Sequence, residues 1–378
     1  MRVMVLEPDP SHGGGSEAVV LSVARGLASR GHEIVLLHDA HGSMMPDYGA
    51  FAVETLQRRL PGFAKRSPIT TARGMATIVG AVRRSRAQTV VSSHLGYLRH
   101  AAVTRRVLGV PFLFHLGLPC VGDSFLLQWS YRNLGTGVAP SEHNAATWSA
   151  GGWPDAAMRV VPNWVDVGTF APAVDRVAAR RAVGLPSDGR YVLFLGRICE
   201  QKGVTVLLRA FAGLGPGYED VKLLLVGAVA PGYGATLDAS LGAMPDACRA
   251  RVIVHPVTAQ PERYYQAADV ACVPSLGDEA FGLTVVEAMA CGVPVLTSAL
   301  GMTHELLGPE HAALLREPGV VKEWVSGLRK WLDDADARGR CGASLRKRAV
   351  EQFGPGPGVA AYEAVLEGML EIRVGGRA

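Results

Sequence analysis

Apolar residues gather in short continuous runs along this chain, and between the runs they spread out to helical spacing. In the first half the runs are Val3–Leu6, Ile34–Leu37, Thr89–Ser92, Pro111–His115 and Thr136–Ala139, with an amphipathic stretch over Glu17–Arg30 between the first two. A run of about four to six apolar residues without polar alternation fits a strand covered on both faces, which is how parallel sheets are buried. The second half repeats the pattern with Tyr191–Leu195, Lys222–Val226, Val252–Val254, Val270–Val273, Pro294–Thr297 and Ala313–Leu315. The pattern predicts an α/β protein made of two Rossmann-like βα domains, each with a parallel sheet.

The periodicity breaks at Val161-Pro-Asn-Trp-Val-Asp166 and again at Phe170-Ala-Pro172, where prolines and turn residues mark a domain crossing. Domains are therefore expected over 1–165 and 166–352. The turn-rich Gly354-Pro-Gly-Pro-Gly358 then leads into a helical pattern over Val359–Ile372, which sets 353–378 apart as a closing helix. A length of 378 residues suits two domains, each with its own core. With 48% hydrophobic and 19% charged residues the composition is that of a globular protein rather than a disordered one.

The apolar start Met1–Leu6 is too short for a signal sequence, and no run of about 18 apolar residues occurs, so a cytoplasmic location is expected. The six cysteines are scattered without a CxxC pair, which argues against a disulfide framework or a zinc site and for small buried hydrophobes. Charge is uneven beneath the net +4. No acidic residue occurs between Thr55 and Gly122, a window that carries Arg58, Arg59, Lys65, Arg66, Arg73, Arg83, Arg84, Arg86, Arg99, Arg105 and Arg106. Such a field attracts anions, either a phosphorylated acceptor or an anionic membrane surface, and otherwise is a solvated basic face. Nucleic acid is not expected, because the window lacks interleaved aromatics and any binding motif.

Candidate chemistry lies where the apolar runs end. The first run leads into Glu7-Pro-Asp-Pro-Ser-His-Gly-Gly-Gly15 and then Ser16-Glu17; three glycines ahead of a helix let backbone N–H groups approach a phosphate. The spacing is not GxGxxG, which makes a dinucleotide site an inferior reading. Tyr191–Leu195 runs into Gly196-Arg197-Ile-Cys-Glu-Gln-Lys202-Gly203, placing two cations at a strand's carboxyl end, where open α/β sheets bind ligands. A guanidinium and an ammonium there can neutralise a departing diphosphate. Glu279-Ala-Phe-Gly-Leu-Thr-Val-Val-Glu287 brackets a helix start with two carboxylates, and Thr284-x-x-Glu287 has capping-box spacing that puts Glu287 in the first turn. His115 ends the run Pro111–Phe114, and His94, His143 and His255 also follow strands; none has metal-ligand spacing with a carboxylate partner, so no metal is expected.

These motifs closely resemble those of the retaining family 4 glycosyltransferases, which have the GT-B architecture of two Rossmann-like domains facing a central cleft. The Glu279-x7-Glu287 segment is similar to the family's paired-glutamate signature, Gly196–Gly203 to its G-R-x-x-x-x-K-G motif, and Gly14-Gly15-Ser16-Glu17 to its G-G-x-E element. Val161–Asp166 resembles its interdomain linker, with Trp164 where glycine is common. The resemblance implies that Glu279 contacts the transferred sugar, Glu287 the ribose, and Arg197 and Lys202 the diphosphate. It implies a sugar-side role for His115, and contacts to the nucleotide sugar from Gly14, Gly15, Gly196, Gly227, Phe281, Gly282, Leu283 and Thr284. It also implies that the last helix packs back on the first domain, and that leaving diphosphate rather than a metal helps deprotonate the acceptor.

The reading that results is a retaining hexosyl- or N-acetylhexosaminyltransferase using a UDP-sugar first and a GDP-sugar second. Its partners are a nucleotide-sugar donor and a small-molecule, glycan or lipid-linked hydroxyl acceptor, with peripheral contact to an anionic membrane at the inner face left open. An NAD-dependent oxidoreductase would explain two Rossmann units but leave Glu279, Glu287, Arg197 and Lys202 without a role. A non-catalytic nucleotide-sugar-binding protein would need neither Glu279 nor His115.

Overall fold

The computed structural model describes residues 1–11, 15–62, 67–120, 122 and 124–375. The chain divides into two compact units, one made of Met1–Asn163 with Pro355–Ala378, the other of Trp164–Gly354.

The first unit carries a seven-stranded parallel sheet of β1 (Arg2–Leu6), β2 (Glu33–His38), β3 (Glu54–Gln57), β4 (Thr89–Ser92), β5 (Phe112–His115), β6 (Gly135–Ala139) and β7 (Met158–Val160), in the order β3-β2-β1-β4-β5-β6-β7. The apolar runs are its central strands, with Val3 to Leu6 and Ile34 to Leu37 almost fully buried. The two outer strands escape the hydrophobic pattern for a physical reason. β3 reads Glu-Thr-Leu-Gln, with only Leu56 buried, and β7 is three residues long with Arg159 exposed. An edge strand has one covered side at most and needs no continuous apolar run.

The second unit carries a six-stranded parallel sheet of β8 (Arg190–Leu195), β9 (Val221–Val226), β10 (Val252–His255), β11 (Val270–Val273), β12 (Val295–Ser298) and β13 (Leu315–Arg316), in the order β10-β9-β8-β11-β12-β13. The run expected over Ala313–Leu315 is instead the end of a 3-10 turn and the start of the two-residue β13. Asp269 anchors this unit from within. Its carboxylate, 4% exposed, accepts from Arg180 Nη2 at 2.8 Å, Arg176 Nη1 at 2.9 Å and the Tyr191 backbone N–H at 2.8 Å, tying the helix Arg176–Ala182 to the starts of β8 and β11.

The final helix, Pro355–Gly375, belongs to the first unit and packs on the helix Gly15–Ser29. Glycine at position 26 makes that approach close: a Cβ there would stand 2.3 Å from Val359 Cγ2. Glu363 closes the contact with bonds of 2.6 Å to both Arg30 Nε and His32 Nε2. No helix among the described residues is long and apolar enough to cross a membrane.

Candidate active site

Both sheets have a topological switch point, the place where successive crossovers leave in opposite directions and open a crevice at the strands' carboxyl ends. In the second unit it lies between β8 and β11, because β8 connects outward to β9 and β11 outward to β12. β8 ends at Gly196 (φ 149°) and β9 at Gly227 (φ 145°); a Cβ on Gly227 would fall 2.0 Å from the Gly196 carbonyl oxygen, so only glycine allows these two strand ends to converge. The loop after β8 then crosses to β11. A Cβ on Gly203 would meet the Pro274 carbonyl oxygen at 1.8 Å, and Leu276 N–H donates to Gln201 O at 2.8 Å.

That close seating sets the charge geometry. Lys202 Nζ donates to Glu279 Oε1 at 2.7 Å, and Ser275 Oγ donates to the same oxygen, so one residue from the β8 loop and two from the β11 loop meet over the switch point. Arg197 is exposed at the same strand end and makes no ion pair among the described residues. Glu279 and Lys202 are partly buried, so their attraction is screened less than that of a surface pair.

The second glutamate sits differently from the sequence expectation. The helix runs Leu283–Ala290 and is preceded by Gly282 in the left-handed region at φ 94°, so Glu287 falls in its second turn and the Thr284–Glu287 capping box is absent. The carboxyl of Glu287 is held by Tyr265, whose hydroxyl donates to Oε2 at 2.9 Å. Burial pushes the Glu287 pKa up to about 7, while the Tyr265 hydrogen bond pulls it back. The ring of Phe281 is 4% exposed and packs edge-on against Phe353 at 5.9 Å, in the core beside Gly282. Leu283 leans on the same core, and Thr284 is partly buried in the first turn. His255 is engaged with Tyr264 Oη at 2.8 Å.

In the first unit the switch point lies between β1 and β4. Glu7, directly after β1, is fully buried; its Oε1 shares a hydrogen bond with His94 Nε2, and its Oε2 has no partner among the described residues. Ser92 Oγ donates to Leu6 O at 2.9 Å and accepts from the His94 backbone N–H at 3.2 Å, which holds the ends of β1 and β4 together. On the next strand His115 is wholly buried, shares a 2.8 Å hydrogen bond with Tyr362 Oη through Nδ1, and leaves Nε2 without a partner among the described residues. Burial lowers its pKa to about 4, so the ring is neutral at physiological pH. A Cβ on Gly117 would lie 2.9 Å from His115 Nε2 and 2.3 Å from Ser16 Oγ, so glycine there leaves room for both.

Gly15 opens the helix Gly15–Ser29, whereas Gly14 lies outside the described residues. Ser141 caps the helix Glu142–Ala150 by accepting from Asn144 N–H, which places His143 in a first helical turn. Sequence reasoning passed over Glu7, Tyr265, Ser275 and Tyr362. Glu7 borders the glycine loop, but nothing local in the sequence tells that a carboxylate at a strand end is buried. No group of three or more His, Cys, Asp or Glu among the described residues is arranged to hold a metal ion.

The chain matches the profile for Glycosyltransferase Family 4 over residues 13–169 and that for Glycosyl transferases group 1 over residues 175–348. It belongs to glycosyltransferase family 4. The D-inositol 3-phosphate glycosyltransferase of Kineococcus radiotolerans is 36% identical over 227 residues, 56% of this chain and 51% of that protein. Its counterpart in Segniliparus rotundus is 34% identical over 257 residues, 66% of this chain and 55% of that protein. The family 4 chain thus spans about half the length of the curated relatives it matches. Among solved structures, Anabaena HepE in complex with UDP superposes with a TM-score of 0.82 at 19% identity, covering 97% of this chain and 99% of that one. Sucrose-phosphate synthase from Thermosynechococcus elongatus superposes with a TM-score of 0.79 at 21% identity over the whole of both chains. At those identities the likeness speaks for the GT-B fold.

Proposed function

We propose that the chain is a retaining glycosyltransferase that moves a hexose or N-acetylhexosamine from a nucleoside diphosphate sugar to a hydroxyl acceptor. The observation that carries this reading is the Lys202–Glu279 pair over the switch point of the second unit, with Glu287 in the second turn of the helix that follows. Lys202 and Arg197 supply positive charge for a leaving diphosphate. Glu279 offers acceptor oxygens to sugar hydroxyls, and Glu287 offers them to a ribose. In the transfer step the acceptor oxygen bonds to the anomeric carbon, the bond from that carbon to the diphosphate oxygen breaks, and the electron pair leaves with the diphosphate. The acceptor's proton passes to the departing phosphate on the same face.

UDP is the first choice of nucleotide, supported by the neighbouring fold that holds UDP and glucose, and GDP is the second. An oxidoreductase is not favoured: it leaves the Lys202–Glu279 pair idle. The helices Pro68–Ser85 and Leu98–Leu108 carry Arg73, Arg83, Arg84, Arg105 and Arg106, which supports peripheral contact with an anionic surface. Absence of vesicle co-sedimentation at low salt would remove that part.

A panel of UDP- and GDP-sugars, read by donor hydrolysis and product mass, tests the central claim. Turnover of one donor with product retaining the donor's anomeric configuration supports it; inversion overturns the stereochemistry, and failure to bind or hydrolyse any donor overturns the function.

A further inference from the structure

The first unit holds a second hydrogen-bonded pair of titratable side chains in the same topological place as Lys202–Glu279. Glu7 follows β1 and His94 follows β4, so their hydrogen bond bridges the β1/β4 switch point as the lysine–glutamate bond bridges β8/β11. Two features separate this pair from an ordinary structural contact. Glu7 is fully buried yet its Oε2 has no hydrogen-bond partner among the described residues, an arrangement that is costly unless something is gained from it. His94, in turn, keeps 26% of its side chain exposed beside the opening of the helix Gly15–Ser29, so one face of the imidazole is available at the strands' carboxyl ends.

The field at this point is acidic. The strongest charges acting on His94 are Glu7, Glu17 and Asp9, and His94 and Glu17 are the strongest on Glu7; Tyr48 and Tyr97 face Glu7 from neighbouring elements. Of the described arginines of the acid-free window, Arg99 stands at this same edge, in the first turn of the helix Leu98–Leu108, but is not among the charges that act most on His94; Arg58, Arg105 and Arg106 lie elsewhere. Arg105 and Arg106 line a cavity of ≈ 350 Å³ with Arg132, at the carboxyl ends of the helices Leu98–Leu108 and Phe125–Leu134. In a parallel βα sheet that is the edge where strands begin, opposite Glu7 and His94. Arg58 follows β3, the outermost strand, and turns its guanidinium to the Gln57 carbonyl oxygen.

We propose that the Glu7–His94 pair receives the acceptor, His94 hydrogen-bonding an acceptor hydroxyl and Glu7 positioning the ring, and that Glu7, Asp9 and Glu17 select neutral or amine-bearing polyols over phosphorylated ones. Opposite charge draws an ammonium to three carboxylates, and like charge with desolvation repels a phosphate. His94 is the contact; Glu7 is a positioning residue. The inference rests on the transferase reading and narrows its acceptor.

The test uses the full chain with its donor and a matched acceptor set: a cyclitol, its amino derivative and its monophosphate. Wild type is expected to favour the first two over the phosphate by at least about tenfold in kcat/KM. His94→Gln should raise the KM for the neutral cyclitol about tenfold while leaving acceptor-independent donor hydrolysis and donor KM in place. Glu7→Gln keeps the side chain's size and a hydrogen-bond acceptor but drops the charge. It should raise the cyclitol KM less than His94→Gln does and narrow the preference for the amine, a change that a purely structural role for Glu7 would not produce. Preference for the monophosphate, no use of any of the three alongside intact donor hydrolysis, or an unchanged acceptor KM in His94→Gln each overturns the inference. Absence of donor binding and hydrolysis in wild type overturns the transferase reading itself.

Discussion

Lys202 and Glu279, contributed by the loops after β8 and β11, meet in a 2.7 Å hydrogen bond over the crevice where the second sheet reverses its direction of growth. The ammonium is therefore held in place before any diphosphate arrives, and the carboxylate that holds it is one assigned to the sugar. In the proposed reading, binding a donor would exchange part of this internal pair for contacts to the ligand, so each residue conditions the other.

Lys202→Ala is expected to lower kcat by about a hundredfold to a thousandfold, the loss typical of one transition-state charge contact. Its melting temperature should change little, since the partly exposed pair contributes little to stability. Near wild-type turnover in a steady-state assay would refute the assignment.

Glu279→Gln and Glu287→Gln should fail differently. The first is expected to depress kcat with a modest change in donor KM, because the sugar-side carboxylate acts where bonds change. The second should raise donor KM about tenfold, as loss of a charged hydrogen-bond acceptor would. Parallel effects on both constants would remove the division of labour.

Glu287 also sets a pH dependence. Its pKa stands at about 7 against 4.5 for a free glutamate, so the folded protein holds a proton through that window that the unfolded chain has lost. Stability from this group accordingly declines as pH rises from about 4.5 to 7 and stays lower above it. Donor affinity should move the opposite way, improving through pH 7 as the carboxylate ionises and can accept from two ribose hydroxyls. Tyr265→Phe removes the bond that restrains the pKa and should push the midpoint of the donor KM profile upward. An unmoved midpoint would count against Tyr265 as the residue tuning Glu287.

Gly26→Ala puts a methyl group 2.3 Å from Val359 Cγ2. Overpacking of this kind costs about 1–3 kcal/mol. Chemical denaturation should show that loss, and Val359→Ala added to Gly26→Ala should recover part of it; additive losses would show that the two helices do not meet there.

Asp269→Ala leaves Arg180 buried without its partner and strands the Tyr191 N–H. Breaking such a buried pair costs about 3–5 kcal/mol. The expected result is a lower urea midpoint, with the second unit unfolding first; an unshifted midpoint would contradict it.

The apolar runs at Val3–Leu6, Thr89–Ser92, Tyr191–Leu195 and Val270–Val273 announce their strands because a strand covered on both faces is written locally as continuous hydrophobicity. The same holds for Gly196, Arg197, Lys202, Gly282 and Glu287, whose spacing places them beside strand ends and a helix start. β3 and β7 stay hidden, because edge strands carry no such pattern. The capping box at Thr284 misleads, because Gly282 caps the helix two residues earlier than the box requires and Tyr265 claims the glutamate.

By itself the sequence determines that this is a two-unit parallel α/β chain of glycosyltransferase family 4 and names the carboxylates and cations at its strand ends. The tertiary structure alone decides which of them meet. Lys202 and Glu279 are 77 residues apart, Glu7 and His94 are 87, and His115 and Tyr362 are 247. Strand order brings them together, and strand order is set by how whole βα crossovers pack to bury both faces of each sheet. No local pattern of residues records that choice, nor shows that Glu7 is sealed inside while Arg197 stays in water.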